Sequence, residues 1–355
     1  MAENKNIKIK DIAQMAGVSV GTVDRVLHDR GRVSEENLKK VKAILEVVNY
    51  QPNMMARTLA SKKHYKIAVI IPAFQPGEYW EKVYKGIQRA EGEFAGYGVH
   101  LEKFLFDQHN SHSLRKIINE LLAGSFDFNA VLMATLFSNL MIEFSQTLDL
   151  LRIPYNYIDA NIPAQQQLAY FGTNSGDSGE IGAKMLLYNI KKNADIVIPK
   201  ILNIGDQDSN QWINRETGFL DYLNHTAYSG TIHRIELYLD DPVYNFRELD
   251  ILLKSKPKIR GGIVFNSKAH ILANYLKIRN INDISVIGYD VIEANIKLLK
   301  EGIIKALIAQ RPQQQGYEGI KSLCEYLILK KTPPKENYLP IDILLPENID
   351  YYQNQ

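Results

Sequence analysis

The sequence is poor in the features that stabilise secreted proteins or hold proteins in membranes. Cys324 is the single cysteine among 355 residues, which excludes an intrachain disulfide and a cysteine-based metal cluster. The first ten residues carry no apolar stretch of signal-peptide length, and the apolar run at 67–71 is far too short to span a bilayer. We therefore expect a cytoplasmic protein that has no membrane partner.

Patterns typical of catalysis or metal binding are also missing. The sequence contains no phosphate-binding glycine loop, no nucleophile elbow and no histidine pair at metal spacing. Residues 206–210 begin like a calcium loop, but Gln211 occupies the required glycine position and Thr217 that of the bidentate glutamate. We expect no cofactor, no metal and no enzymatic activity.

Net charge is small, but the charges are unevenly distributed along the chain. The formal net charge is +2, yet residues 1–66 carry 13 basic and 7 acidic side chains, which leaves 29 basic and 33 acidic ones for the rest. A basic head on a mildly acidic body favours a polyanionic partner for the head. Chance clustering of surface lysines would give the same numbers, so charge alone does not decide.

What the sequence does contain at its start is a run of short helical patterns. Apolar residues recur on one side of 10–16 and of 20–27, and between them Gly17 permits a left-handed turn and Ser19 suits a helix N-cap. A third helix is predicted over 35–48. Two short helices joined by a glycine-containing turn are the helix-turn-helix pattern.

The second of these helices keeps one polar face free for a partner. Gly21, Thr22 and Arg25 lie on that face, and an arginine-bearing helix on a basic bundle has the geometry that enters a DNA major groove. A helical protein-docking domain is the alternative reading of the same pattern.

From residue 66 onward, eleven short apolar runs alternate with helical patterns. This alternation predicts parallel sheets covered by helices on both faces, and eleven strands favour two lobes over one sheet. We therefore predict an α/β protein with a small all-α head at 1–51, a hinge helix and linker at 52–64, and a body of two doubly wound parallel sheets at 65–355. The chain is expected to cross between the lobes near 172, 300 and 332.

Polar side chains follow the ends of many predicted strands, where open α/β sheets bind their ligands. These residues are Gln75, Asp107, Thr135, Asp159, Asn174, Asp206, Asn266, Asp290 and Gln310. Some of them would merely cap the next helix. Carboxylates and amides together suit adjacent hydroxyls of a sugar, and Tyr79 and Trp80 would offer a flat face, unless they pack in the core.

The head resembles the DNA-binding domain and hinge of the lactose-repressor/galactose-repressor family of bacterial transcription regulators. The match includes AGVS at 16–19, RVL at 25–27 and PN at 52–53. The resemblance implies base reading near the cap serine, phosphate contacts, and a hinge leucine that inserts into the minor groove. The implied DNA-binding residues are Ser19, Val20, Gly21, Thr22, Arg25, Asn53, Ala56 and Leu59.

This sequence departs from the family pattern within the recognition helix. Val20 and Gly21 lack hydrogen-bonding side chains, which limits direct readout there to contact with a thymine methyl. Asp24 stands where the family usually has serine, and an anion near phosphates weakens binding. The operator sequence therefore does not follow from the chain.

The body resembles type I periplasmic sugar-binding proteins such as the ribose-binding protein, which provide the effector fold of that family. The shared stretches include YID at 157–159, NRETGF at 214–219 and IGYD at 287–290. The resemblance implies ligand roles for Tyr79, Trp80, Asp159, Arg215, Asn266, Asp290 and Gln310, to which strand-end position adds Thr135. Ala160 and Ser267 depart from the residues usual at their positions.

Together these features predict a ligand-responsive repressor of carbohydrate-utilisation genes. We expect a homodimer that binds double-stranded operator DNA with near-palindromic symmetry and responds to a sugar or sugar derivative. A nucleoside or sugar-acid corepressor is an alternative ligand for the same regulator. A cytoplasmic sugar-active α/β enzyme is the alternative from a different class.

Overall fold

The computed structural model describes residues 9–27, 31, 33–48, 63–124, 126–202 and 210–353. The chain divides into two compact units between residues 62 and 63, two residues before the predicted start of the body. Most of the predicted hinge, including Asn53, Ala56 and Leu59, lies outside the described residues.

The first unit contains the three helices expected from the periodicity. They are α1 (Ile9–Ala16), α2 (Val20–Leu27) and α3 (Glu35–Val47). Helices this short are unstable alone, and here each contributes side chains to one core in which Ile12, Val23 and Val41 are fully buried. Ser34 caps α3, since its Oγ accepts a hydrogen bond from the Asn37 backbone N–H at 3.4 Å.

The second unit consists of two six-stranded sheets, each within its own lobe. In lobe 1 the strands are β1 (Tyr65–Pro72), β2 (Val99–Phe106), β3 (Ala130–Ala134), β4 (Tyr155–Asp159), β5 (Ala169–Gly172) and, late in the chain, β11 (Glu336–Tyr338). All neighbouring strands of this sheet are parallel, in the order β11-β5-β4-β3-β1-β2. Its helices are α4 (Tyr79–Phe94), α5 (Ser111–Ala123) and α6 (Ser138–Leu151), with a 3-10 turn at Ala95–Tyr97.

Lobe 2 repeats this plan with one antiparallel edge strand. Its strands are β6 (Asp195–Leu202), β7 (Ile232–Tyr238), β8 (Ile259–Ile263), β9 (Ser285–Tyr289), β10 (Ile304–Ala309) and β12 (Asp342–Leu344), in the order β12-β10-β9-β8-β6-β7. β12 pairs antiparallel with β10. The helices of lobe 2 are α7 (Ser175–Leu187), α8 (Asn210–Asn224), α9 (Pro242–Ser255), α10 (Ala269–Ile278), α11 (Glu293–Lys300) and α13 (Ile349–Gln353). A further helix of lobe 1, α12 (Pro312–Leu329), packs against α4, β4 and β5.

The chain crosses between the lobes three times, at 172–175, 309–312 and 338–342. The predicted crossing near 300 is wrong, because β10 still pairs with β9 in the second sheet. The predicted crossing near 332 comes too early, because β11 returns to the first sheet and pairs with β5. β11 itself was not predicted, since its three residues, two of them exposed, carry no apolar pattern.

Two glycine contacts fix the helix pairs that flank the crossings. A Cβ at Gly86 in α4 would collide with the Gln313 carbonyl in α12, and a Cβ at Gly179 in α7 would collide with the Arg215 carbonyl in α8. Each lobe therefore has one helix pair whose backbones touch because a side chain is absent. These contacts set the positions of α4 and α8, which both begin at the cleft between the lobes.

Candidate functional site

The α2 helix presents the polar face that the sequence predicted. The Oγ of Ser19 accepts a hydrogen bond from the Thr22 backbone N–H at 3.1 Å, which satisfies one of the open N–H groups at the helix start. Val20, Gly21 and Arg25 are exposed, and 48% of the surface of Val20 is accessible.

Arg25 is held along this face by its own helix. Its Nε donates to the Gly21 carbonyl at 3.1 Å, and its Nη2 lies 3.5 Å from the Thr22 Oγ1. The face therefore combines an exposed cation, a hydroxyl and an apolar side chain, as a surface that docks into a DNA groove does.

In the second unit, two carboxylates stand at equivalent strand ends. Asp159 is the last residue of β4 and Asp290 follows β9 directly. Both have left-handed backbones, with φ of 75° and 67°, a conformation that aspartate tolerates better than most residues. Both are buried, with exposed fractions of 5% and 7%.

Two glutamine side chains connect these carboxylates across the lobes. The Nε2 of Gln310, which directly follows β10, donates to Asp290 Oδ1 at 2.7 Å. The Nε2 of Gln211 in α8 donates to Gln310 Oε1 at 2.8 Å and to Asp159 Oδ1 at 3.1 Å. Asp159, Gln211, Gln310 and Asp290 thus form one continuous chain of hydrogen bonds.

Arg215 is the buried cation of this region, with an exposed fraction of 1%. Its Nη1 donates to the Phe265 carbonyl at 2.6 Å, and its guanidinium carbon lies 4.2 Å from the centre of the Tyr289 ring. Within the described part of the chain, its Nε and Nη2 find no hydrogen-bond acceptor. Two buried donors without partners are costly, and a ligand oxygen would satisfy them.

Burial dominates the electrostatics of the site. It raises the pKa of Asp159 to about 6, against the opposing influence of the Arg215 charge. Burial raises the pKa of Asp290 too, again opposed by Arg215. Lys82 has a lowered pKa because burial disfavours its charge. These carboxylates therefore gain from any donor that approaches them.

Tyr79 and Trp80 begin α4 at the cleft, as predicted, but they differ in exposure. Trp80 is buried with an exposed fraction of 6%, while Tyr79 is partly exposed. Their rings meet edge to face at 5.1 Å. The Tyr79 hydroxyl donates to Gln315 Oε1 at 3.4 Å, and burial raises its pKa well above the usual value.

A cavity of about 160 Å³ opens between the lobes. A water occupies roughly 30 Å³ in the liquid, so the cavity has room for on the order of five waters or a small ligand. Its lining from both lobes comprises Gly77, Glu78, Tyr79, Trp80, Gln108, Leu136, Asp159, Gln211, Asn266, Ser267, Lys268, Asp290, Ile292 and Gln310. Six of the eight predicted ligand residues belong to this lining.

The other two predicted residues lie outside the lining. The Thr135 hydroxyl donates to the Ala160 carbonyl at 2.5 Å and accepts from the Ala160 N–H at 3.2 Å, so it holds the end of β4. Arg215 is fully buried and does not line the cavity, although it lies close enough to influence both Asp159 and Asp290 electrostatically. Asn266 lines the cavity and also closes the turn before α10, since its Oδ1 accepts from the Lys268 N–H at 3.1 Å.

Several residues at the cleft escaped the sequence reasoning. Gln211 precedes Arg215 by four residues and so shares its helix face, a signal that was available. Gln315 accepts from the Asp159 N–H at 3.1 Å and donates to the Gln310 carbonyl at 3.0 Å. Glu78 and Lys268 form an ion pair between the lobes at 3.8 Å, which no local pattern predicts.

Neither a metal cluster nor a membrane span emerges from the described ranges. They contain no group of three or more histidine, cysteine, aspartate or glutamate side chains placed to hold a metal. None of their helices is long and apolar enough to cross a bilayer.

Comparison with known families divides the chain in the same way as the fold. The family described as bacterial regulatory proteins, lacI family, matches residues 8–53. The family described as periplasmic binding protein domain matches residues 67–331. The two matches correspond to the helical unit and to the two-lobed unit.

Curated relatives match mainly through the N-terminal part. The transcriptional regulator MalR of Streptococcus pneumoniae is 35% identical over 91 residues, which cover 24% of this chain and 28% of MalR. The chain thus matches little more than a quarter of the length of such relatives. The ribose operon repressor of Lactococcus lactis is 23% identical over 354 residues, 96% of this chain and 97% of the repressor.

A solved structure extends the likeness to the body. It is described as that of a LacI transcriptional regulator from Bacteroides fragilis and is 36% identical to this chain. The superposition has a TM-score of 0.75 and covers 82% of this chain and all of the other.

Proposed function

Because this chain belongs to the lacI family of bacterial regulatory proteins, we propose that it is a transcriptional regulator that binds operator DNA and responds to a small ligand. One chain combines an exposed, arginine-bearing recognition helix with a buried pair of carboxylates around an interlobe cavity. That combination is what carries the proposal. The regulator acts by binding rather than catalysis, and it works in the cytoplasm, where operator DNA is located.

The DNA contacts follow from the exposed face of α2. Arg25 reads a base edge in the major groove, Val20 touches a thymine methyl, and Thr22 and Ser19 face the phosphates. Gly21 lets the helix approach closely. Asn53, Ala56 and Leu59 complete the interface on the basis of the family resemblance, with Leu59 as the minor-groove wedge.

A homodimer gives this contact its symmetry. One recognition helix of this length reads only a few base pairs, and two copies related by a two-fold axis read a near-palindromic operator. The clustering of positive charge within residues 1–66 supports the phosphate contacts.

The ligand we propose is a small neutral sugar. Asp159 and Asp290 accept hydrogen bonds from hydroxyl donors, while the free N–H groups of Arg215 donate to ring or hydroxyl oxygens. Tyr79 supplies a partly exposed aromatic face. The relative in Lactococcus lactis that aligns along nearly all of this chain is named for ribose, which makes D-ribose a first candidate.

Ligand binding would alter DNA affinity through the two lobes. Side chains of both lobes line the cavity, so a ligand held there favours one arrangement of the lobes over others. A coupling free energy of about 1–3 kcal/mol changes DNA affinity roughly 5- to 150-fold. We expect the ligand to change the affinity of the repressor for the operators of carbohydrate-utilisation genes by a factor in this range.

DNA binding and ligand binding can be tested separately. The full chain should enrich a near-palindromic sequence from a random duplex library, and a panel of pentoses and hexoses should change its affinity for that sequence. A truncated chain of residues 63–355 should lose DNA binding and retain sugar binding. Failure to enrich any sequence, or chemical turnover of a panel sugar, would contradict the proposal.

A further inference from the structure

Gln211 links the two lobes at the cleft, beside the Glu78–Lys268 ion pair and the hydrogen bond from Lys82 to the Val291 carbonyl. It lies in the first turn of α8 in lobe 2, and its Nε2 reaches lobe 1, where it donates to both Asp159 Oδ1 at 3.1 Å and the Asp159 carbonyl at 3.3 Å. The same Nε2 donates to Gln310 Oε1 at 2.8 Å. Gln315 contacts the same two residues but through their backbone groups, whereas Gln211 binds the side chains of both.

The two carboxylates leave these amides only one consistent orientation. Gln310 turns its NH2 group to Asp290, the orientation that the ionised carboxylate requires, and this leaves its Oε1 to accept. Gln211 must then offer its own NH2 group to Gln310 and Asp159. A side chain without an NH2 group at position 211 cannot take part in this network.

The network decides which polar atoms remain for a ligand. Glutamine amides engage Oδ1 of Asp159 and Oδ1 of Asp290, and the Tyr79 side chain also hydrogen-bonds with the Asp159 carboxylate. Both carboxylates line the cavity and can accept further hydrogen bonds from ligand hydroxyls. On the donor side stand Nε and Nη2 of Arg215. Lys82 donates to the Val291 carbonyl at 2.7 Å, and the charge of Lys268 is paired with that of Glu78 at 3.8 Å, although each ammonium group has further N–H donors.

We propose that Gln211 is a specificity-determining residue of the cleft, which selects neutral ligands with adjacent hydroxyls by holding Asp159 and Gln310 at a fixed separation across the lobes. The inference rests on the proposed sugar-sensing function and extends it to a residue outside the predicted ligand set. A ligand carboxylate would add a third negative charge beside Asp159 and Asp290, which a single buried cation, Arg215, does not balance. Sugar acids are therefore rejected.

Substitution by glutamate separates this role from simple packing. Gln211→Glu keeps the size of the side chain but replaces the NH2 group by an acceptor, so the bonds to Asp159 and Gln310 are lost and two carboxylates face each other. Protonation at low pH restores one donor. Among the described residues, the ionisable groups that interact with Asp159 or Asp290 from the surrounding elements are Tyr79, Lys82, Tyr170, Arg215, Lys268, Tyr289 and Tyr352.

The experiment compares the full-length wild type, Gln211→Glu and Gln211→Ala by calorimetry with D-ribose, D-arabinose, D-allose and D-galacturonate. Gln88→Glu on the exposed face of α4 is the matched control. For Gln211→Glu we expect roughly tenfold or greater loss of affinity for the preferred neutral sugar at about pH 8, with partial recovery at about pH 5.5. Gln211→Ala should narrow the preference between neutral sugars, and Gln88→Glu should match the wild type.

Small-angle scattering of the same proteins without sugar gives a second readout. Loss of the bridge should increase the radius of gyration of Gln211→Glu relative to Gln88→Glu. Wild-type affinity, selectivity and pH profile in Gln211→Glu would overturn the inference. If the wild type binds no sugar of the panel, the proposed ligand class fails, and unchanged scattering of Gln211→Glu would then overturn the role of Gln211 separately.

Discussion

Asp159 and Asp290 occupy equivalent positions in the two lobes and face the same cavity. Each stands at the end of the fourth strand of its lobe in chain order, and each has a left-handed backbone. The fold thus brings together two carboxylates that are more than a hundred residues apart in sequence. Gln211 and Gln310 then connect them through hydrogen bonds.

Asp290→Ala should abolish the response to ligand without changing DNA affinity in its absence. Asp290 accepts from Gln310 and lines the cavity, whereas the α2 face belongs to the other unit. Operator affinity with and without sugar, measured by fluorescence anisotropy, should differ roughly 5- to 150-fold for the wild type and not at all for the variant. The exposed Asp240→Ala serves as control, and a retained response in Asp290→Ala would contradict the assignment.

The contribution of Asp159 to protein stability should decrease as the pH rises from about 4 to about 6, while carboxylates with lowered pKa values, such as Asp195 and Asp250, contribute with the opposite sign. Burial raises the pKa of folded Asp159 to about 6, above its value in the unfolded chain, so the folded state binds the proton more tightly in this window. The associated change in the free energy of unfolding is at most about 3 kcal/mol.

Urea unfolding at several pH values checks this dependence. Asp159→Asn cannot ionise and should flatten the profile, although Asp290 retains a contribution of the same sign because its pKa is also raised. Identical pH profiles for the wild type and Asp159→Asn would show that Asp159 does not titrate in this window.

Gly179→Ala should destabilise the body by about 1–3 kcal/mol, because its methyl group would collide with the Arg215 carbonyl in the neighbouring helix. Sugar affinity should fall as well, since Arg215 moves with the displaced backbone. Gly92→Ala is the matched control, because a Cβ there meets no atom within 4 Å, and alanine in a helix should stabilise by about 0.5–1 kcal/mol. Thermal and urea unfolding give the stability of both variants. A loss of stability in Gly179→Ala together with a gain in Gly92→Ala would show that the steric collision outweighs the helix propensity of alanine.

Arg25→Ala should weaken operator binding by about 1–3 kcal/mol and relax the base preference at one position of each half-site. Lys39→Ala on the exposed side of α3 removes the same charge from the same unit and should have a smaller effect. Binding to single-base variants of the operator provides the measurement. Equal losses for the two substitutions would indicate that Arg25 contributes charge alone.

The predictions that the structure confirms depend on patterns between residues close together in the sequence. The helix periodicity around Gly17 and the Ser19 cap requires only neighbours within one turn, and the structure reproduces both. The crossings near 300 and 332 failed because a strand's sheet is decided by its pairing partners. β10 pairs with β9 and β11 with β5, across tens to more than a hundred residues.

The position of Thr135 at a strand end led to its prediction as a ligand residue, but it does not line the cavity. Its hydroxyl is hydrogen-bonded to the backbone of Ala160. A buried polar group needs such a partner within the protein when water is excluded. The same rule explains the roles of Gln211 and Gln315. Their side-chain amides form hydrogen bonds with the buried Asp159, which has no such partner among its neighbours in sequence.

The sequence by itself determined the three-helix head, the alternation of strands and helices, and the residues that end the strands, because hydrophobic period, caps and turns act between near neighbours. Only the tertiary structure decided which strand ends share a cavity, which polar groups remain open there, and that Gln211 joins the lobes. Those outcomes depend on burial and on hydrogen bonds between distant segments, and neither exists until the lobes have packed.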